Sequence, residues 1–248
     1  MSIRTNAPES EQQPTWTAAK TMSRSFGVLD TDVPVDRRLA IERRLARLRP
    51  QLVVKRACDV VGSLLLLTLT APVQLLAGAM VRLTSDGSAL FRQVRCGKSG
   101  KPFVVLKLRT MVPLPEGVDV SSVHDARNGR LIKSSADPRI TKVGRILRRT
   151  SLDELPQLVN VLKGQMSLVG PRPLLPFMLD PYPELAAARG LARPGLTGLW
   201  QVSVRTGSDS ALSMAEPDLA YLENYSLWLD LRILVRTIPA CIGGAGAV

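Results

Sequence analysis

Asp153 and Glu154 stand side by side in the run from Arg145 to Lys163, RILRRTSLDELPQLVNVLK, with Lys142, Arg145, Arg148 and Arg149 just ahead of them. Two adjacent carboxylates with different jobs suit phosphoryl chemistry. One can attack phosphorus and form an acyl phosphate. Its neighbour can hold Mg2+, which neutralises phosphate charge, while basic side chains offset the negative charge that remains in the transition state. The same pair also suits an ordinary helix start. Asp153 can cap free N–H groups, Pro156 is tolerated in a first turn, and acids favour the positive end of the helix dipole.

Two further runs invite a phosphate or nucleotide. In SLVGPRP, Ser167 to Pro173, the two prolines restrict the backbone on either side of Arg172. That suits an arginine held to grip a phosphate bidentately, or simply a loop with a surface arginine. RPGLTGLWQVSVR, Arg193 to Arg205, has basic ends, Pro-Gly and Gly punctuation and one Trp, as a loop against a nucleotide would.

Other chemistries are poorly supplied. His124 is the only histidine, so any Ser-His-Asp or Cys-His catalysis would depend on it. Cys58, Cys96 and Cys241 lie far apart with no Cys-x-x-Cys, which argues against a disulfide framework or a cysteine zinc site and fits a reducing compartment. Gly97-Lys98-Ser99 fails as a phosphate loop because Arg92 occupies the position of the required earlier glycine, and the terminal GGAGAV opens no helix.

The elements that must position these residues begin with a membrane problem. Val60 to Val81 is 22 residues without a charge. As an unbroken helix it would be about 33 Å long, the thickness of a hydrocarbon core. That length and uniform apolarity disfavour a soluble core helix. Residues 36–56 carry eight basic and two acidic side chains, and residues 82–109 carry seven and one, so both flanks ask for the cytoplasmic side. A straight span cannot satisfy both. A helix–break–helix hairpin can, with Pro72 near the middle as the break. Thr68, Ser63 or the rest of the protein would satisfy the freed backbone groups, and Asp59 would pair with Lys55 or Arg56 at the interface.

Ahead of it, DRRLAIERRLARLR (residues 36–49) places Ile41, Leu45 and Leu48 at helical spacing among arginines, as in a basic helix lying on anionic headgroups. Behind it, ALFRQVR and PFVVLKLRT flank a Gly-Lys-Ser-Gly turn and read as a β-hairpin. Residues 113–138 read as a Pro-, Gly-, Asp- and Ser-rich loop, Thr141 to Lys163 as helical, and Ala220 to Ile242 as an amphipathic helix. The chain divides into an expected disordered tail (1–35), a basic amphipathic helix (36–50), a re-entrant membrane helix (51–84), a cytoplasmic domain that would be the catalytic one if the carboxylate pair does chemistry (85–242) and a short tail (243–248). The fold class is α+β, mostly helical, with amphipathic surface helices.

Composition bounds the partners. The chain has 248 residues, 45% hydrophobic but only 4% aromatic, and its 33 Lys+Arg against 21 Asp+Glu give +12. That balance asks for acidic partners: nucleic acid, anionic lipid or phosphorylated substrates. Nucleic acid does not account for the apolar run, and the basic residues lack interleaved aromatics for base stacking.

Taken in order, Lys55-Arg56-x-x-Asp59, the apolar run with central Pro72, FRQ-x-R-x-GK-x-GKPF, KLRTM from Lys107, RRTSLDELPQLVNVLKG, MSLVGPRP, RPGLTGLWQVS and Y-x-ENYSLWLDL resemble the bacterial sugar transferases, the monotopic polyprenyl-phosphate phosphoglycosyl transferases, over about residues 51–242. The resemblance implies transfer of a sugar 1-phosphate from a UDP-sugar to polyprenyl (undecaprenyl) phosphate with release of UMP. It implies a covalent aspartyl phospho-sugar intermediate, Mg2+ as cofactor, membrane lipid as a partner and a place on the cytoplasmic face of the bacterial inner membrane, as the first membrane step of exopolysaccharide, capsule or O-antigen-type assembly. Carried over by position, Asp153 is the nucleophile, and Glu154 binds Mg2+ with Asp153 beside it. Arg172 holds phosphate, Arg148, Lys107 and Arg205 lie near phosphate or nucleotide, and Pro72 is the re-entrant break. Three positions depart from the family pattern: Ala71 for Ser, Gln165 for Asp, and Val204 for Gly, which bears on the loop that carries Arg205. The rival reading is a non-catalytic, basic, membrane-bound scaffold in envelope polysaccharide assembly. The sugar, the polymer pathway and the oligomeric state, a homo-oligomer included, stay open.

Overall fold

The computed structural model describes residues 32–112, 124–125, 130–131, 137, 139–203 and 210–242. Most of the expected N-terminal tail, most of the 113–138 loop, Val204, Arg205 and residues 243–248 lie outside the described residues.

Helix α1 (Val35–Arg47) leads into α2 (Arg49–Thr84). The hairpin β1 (Leu90–Cys96) and β2 (Pro102–Leu108) follows, then a minimal pair β3 (His124–Asp125) and β4 (Arg130–Leu131). Next come α3 (Lys142–Arg149), a 3-10 turn (Leu152–Glu154), α4 (Gln157–Leu162) and β5 (Ser167–Val169). Helices α5 (Pro176–Leu179) and α6 (Pro183–Arg189) cross to β6 (Gly195–Thr197), which pairs parallel with β5. Helices α7 (Leu199–Ser203), α8 (Ala211–Glu223) and α9 (Leu227–Ile242) complete the mostly helical α+β fold. The expected hairpin is present, antiparallel from Leu90↔Leu108 to Cys96↔Pro102.

Pro50 sits in the first turn of α2, where its missing N–H is harmless, and extended Ser85 ends the helix. Within it Leu64, Leu65, Leu69, Leu75 and Leu76 are all exposed. Such an apolar band is long enough to cross a membrane and unfavourable in water. The interruption expected at Pro72 is not a non-helical gap: α2 runs through it as one helix. Proline removes the donor to the carbonyl of Thr68. Around it, Thr68 Oγ1 donates to the Leu64 carbonyl (3.0 Å), Thr70 Oγ1 to Leu66 (2.6 Å), and Gln74 Nε2 to Thr70 Oγ1 (2.8 Å). Thr70 and Gln74 thus supply the local side-chain bonding that Ala71 lacks.

Both ends of α2 return to the same body. At the N-terminal end, Arg56 donates to the carbonyls of Val161 (2.7 Å) and Leu162 (2.9 Å). Buried Asp59 accepts from Ser167 Oγ (3.0 Å) and Leu168 N (2.9 Å), and Lys55 Nζ reaches Asp230 Oδ2 at 2.6 Å. The main partner of Asp59 is therefore β5, with Lys55 farther off at 3.9 Å. At the other end, Ala77 and Val81 pack with Leu108, Val143 and Leu147 in a small second core. The main core gathers Leu158, Val161, Met166, Val169, Leu185 and Leu219, among others.

Two expectations need correction. Helix α1 does not offer its apolar face to headgroups. Ile41 and Leu45 are buried in the main core, and Arg37 pairs with Glu216 and Glu223 while Arg38 pairs with Glu184. The stripe that suggested a lipid surface is covered by protein, leaving Arg43, Arg44 and Arg47 exposed. Nor does the fold begin after residue 35: Val33 is buried, and the Asp32 carboxylate accepts from Glu184 N (2.9 Å) and Leu185 N (2.8 Å) in the first turn of α6.

Candidate active site

The helical pattern read from Thr141 to Lys163 is broken where the carboxylates sit. Ser151 takes a left-handed conformation (φ 56°), uncommon for a residue with a side chain, and turns the chain out of α3 into the 3-10 turn that carries Asp153 and Glu154. Pro156 then precedes α4. The acids therefore lie in a turn between two helices, not in the first turn of one long helix. Leu152, on one side of Asp153, and Leu108, next to Lys107, both pack into the cluster built on Ala77 and Val81 of α2.

Asp153 is buried, 9% exposed, and burial pushes its carboxyl up to about 6. The positive charge of Lys107 opposes that shift, the charge of Glu154 adds to it, and Arg148 opposes it. Lys107 Nζ donates to Glu154 Oε1 at 2.7 Å. Arg148 donates through Nε to Thr110 Oγ1 and through an Nη to Met111 Sδ, both at 3.0 Å. Gly144 brings α3 against β2's exit: a Cβ there would sit 2.0 Å from the Thr110 carbonyl oxygen. The structure thus brings Asp153, Glu154, Lys107 and Arg148 together. Arg172 lies in the adjoining cleft, its guanidinium over the Trp200 ring at 5.4 Å. Its carbonyl accepts from Arg189 at 2.5 Å, and Arg189 is itself ion-paired to buried Asp218. Arg205 lies outside the described residues. Pro72 is on the exposed middle of α2.

Among the described residues no group of three or more His, Cys, Asp or Glu forms a metal cage. The donor set is two adjacent carboxylates, one of them buried and disfavoured as an anion by its neighbour's charge. Such a pair fits Mg2+, which is usually held by one or two carboxylates plus substrate phosphate and water.

Sequence reasoning missed three contributors. Asn160 accepts from Leu106 N (3.1 Å) and donates to the Val104 carbonyl (2.7 Å) and Gln165 Oε1 (2.8 Å), locking β2, and with it Lys107, against α4. Gln165, one of the departures, is part of that lock. Arg95 and Gln157 line the cleft with Lys107, Glu154 and Arg172. Arg95 alternates with Gln93 in FRQVR and so could have been placed on one strand face, but no spacing tied it to residues about 60 positions later.

The site is a pair of carboxylates among cations, beside the end of an apolar helix, and comparison with known proteins gives the family. Residues 50–244 match the family model described as bacterial sugar transferase. The chain belongs to that family. It is 49% identical over 196 residues to the UDP-glucose:undecaprenyl-phosphate glucose-1-phosphate transferase of Caulobacter vibrioides, covering 76% of this chain and 69% of that protein. It is 40% identical over 193 residues to the exopolysaccharide production protein ExoY of Rhizobium meliloti (75% and 84%). It is 40% identical over 215 residues to the undecaprenyl-phosphate galactose phosphotransferase of Salmonella typhimurium, covering 84% of this chain but 44% of that longer protein.

Proposed function

We propose that this chain transfers a hexose 1-phosphate from a UDP-sugar to undecaprenyl phosphate, releasing UMP, in exopolysaccharide-type assembly. The names of the relatives support the substrates. The observation that carries the reading is the position of Asp153: a buried carboxylate under the charges of Lys107 and Arg148, one residue from Leu152, which packs against the small core that holds Ala77 and Val81 of the apolar helix. A lipid phosphate can reach such a group without its chain leaving the bilayer.

The chemistry is two displacements at one phosphorus. An Asp153 oxygen bonds to the phosphorus that bears the sugar, the bridging P–O bond breaks, and UMP leaves with the electron pair. An oxygen of undecaprenyl phosphate then bonds to the same phosphorus, the P–O bond to Asp153 breaks, and the carboxylate is restored. Lys107 and Arg148 offset the negative charge of the phosphoryl oxygens in both steps. Glu154, with Asp153 beside it, would hold Mg2+, which supplies charge neutralisation on the diphosphate when bound.

A re-entrant arrangement of α2, with the catalytic body on the cytoplasmic face, is supported by three features. Both ends pack on that body, the middle is exposed and apolar, and basic residues flank both ends. The test is purified full chain with undecaprenyl phosphate and a panel of radiolabelled UDP-sugars. Labelled lipid and an equal yield of UMP are expected with at least one hexose donor. UDP-sugar left intact across a panel that includes glucose and galactose would refute the reading.

A further inference from the structure

Arg95 sits on β1 with neutral partners. One Nη donates to Gln93 Oε1 (2.6 Å) and the other to the Pro173 carbonyl (3.2 Å), and among the described residues it makes no ion pair. Burial lowers its pKa to about 10, the charge of Arg172 pushes the same way, and Glu154 opposes. In the same cleft Gln157, 2% exposed, has a buried Nε2 with no hydrogen-bond partner among the described residues. A buried amide donor left unpaired is a cost to the fold that a bound acceptor would relieve. Three cations, Arg95, Lys107 and Arg172, line this cleft against the single carboxylate of Glu154. Positive charge is therefore in excess in the cleft, which favours an anion there.

The charges also have an order. Those bearing on Asp153 are Lys107, Glu154 and Arg148, whereas those bearing on Arg95 are chiefly Arg172 and Glu154. Glu154 is thus the charge common to both groups. Arg172 borders a second cavity of about 640 Å3, walled by Pro171, Leu174, Pro176 and Leu179, a volume ordinary for a small-molecule site. In an in-line displacement the leaving oxygen departs on the side of phosphorus opposite the nucleophile.

We propose that Arg95 and Gln157 bind the phosphate that departs as UMP, with the nucleoside directed past Arg172 into the larger cavity. This rests on the transfer reading above. As the bridging P–O bond breaks, its electron pair stays on the UMP oxygen, and the Arg95 guanidinium and Gln157 Nε2 donate hydrogen bonds to the oxygens where that charge gathers. No proton changes hands.

The test is UMP and uridine binding to the purified full chain by calorimetry, with folding followed by thermal melts. Arg95→Gln is expected to raise the Kd for UMP about tenfold or more while leaving that for uridine within about twofold. Gln157→Leu is expected to weaken UMP about threefold at an undiminished melting temperature, since it removes an unpaired buried donor. A purely structural Arg95, acting by steadying the Pro173 loop, would add nothing once Arg172 is gone. Arg95→Gln must therefore still weaken UMP in an Arg172→Gln background, and the absence of any added loss overturns the proposal. UMP affinity within twofold of wild type in Arg95→Gln also overturns it. If that variant does not fold, wild-type UMP affinity in Gln157→Leu does the same. Wild type assayed in parallel for labelled lipid separates the two readings: product with an indifferent Arg95 ends only this one, and no product from wild type ends the transfer reading instead.

Discussion

Lys107 Nζ and Glu154 Oε1 meet at 2.7 Å across the gap between β2 and the 3-10 turn, and the same lysine charge holds down the carboxyl of Asp153 next door. One cation thus serves two carboxylates with opposite needs. Lys107→Met is expected to lower kcat/KM for UMP release about a hundredfold, the scale of losing one charge-stabilising donor. It should also move the acidic midpoint of activity upward, by about one pH unit, because Asp153 loses its largest stabilising charge. An unchanged midpoint would separate Lys107 from Asp153.

The pH dependence of the wild type follows from burial. On the proposed mechanism Asp153 must be ionised to attack, and its carboxyl is pushed up to about 6. UMP release measured as kcat/KM should fall about tenfold per unit below that pH. For stability the sign is opposite. The folded-state value lies above the ordinary 3.8, so the protonated form favours the fold. That contribution is complete below about pH 4 and is lost as pH rises through about 6. Asp153→Asn should therefore melt higher than wild type at pH 8, with the difference vanishing toward pH 4, while its turnover falls on the order of a thousandfold or more. A variant that still transfers at a tenth of the wild-type rate would remove Asp153 from the nucleophile's role.

Gly144→Ala tests the seat of Arg148. The new methyl would lie 2.0 Å from the Thr110 carbonyl oxygen, so α3 must move away from β2. A loss of about 1–3 kcal/mol in unfolding free energy is expected. Activity should drop further than stability alone explains, since Arg148 bonds to Thr110 and Met111 across that same contact. Chemical denaturation and UMP release, measured on one preparation, give both numbers.

Chelation addresses the carboxylate pair. EDTA is expected to abolish UMP release, and added Mg2+ to restore it, because on the proposed mechanism Glu154 and Asp153 would hold an ion that neutralises the charge of the diphosphate. Full activity in chelator would leave Glu154 as a partner of Lys107 alone.

The sequence displayed the chemistry better than the mounting. Asp153 and Glu154 with the basic run that holds Arg148, and Arg172 between two prolines, stood out by residue type and spacing, Lys107 only through the family resemblance, and the β1–β2 hairpin was readable from strand-like runs around a glycine turn. Three things were hidden. The break at Ser151 needs a left-handed serine, which no propensity announces. The burial of α1 could not be seen because an amphipathic stripe looks alike whether lipid or protein covers it. Asn160, Arg95 and Gln157 act across separations of about 55 to 75 residues, which only tertiary packing closes.

The Asp32 contact with α6, and the arginines of α1 that reach Glu184, Glu216 and Glu223, have a practical consequence. The family match opens at residue 50, yet Val33, Ile41 and Leu45 already fill the interior. A truncation drawn at the family boundary would bare greasy surface on the two helices that brace Arg172 through Arg189 and Asp218. For this polypeptide, the shortest piece worth expressing starts no later than Asp32.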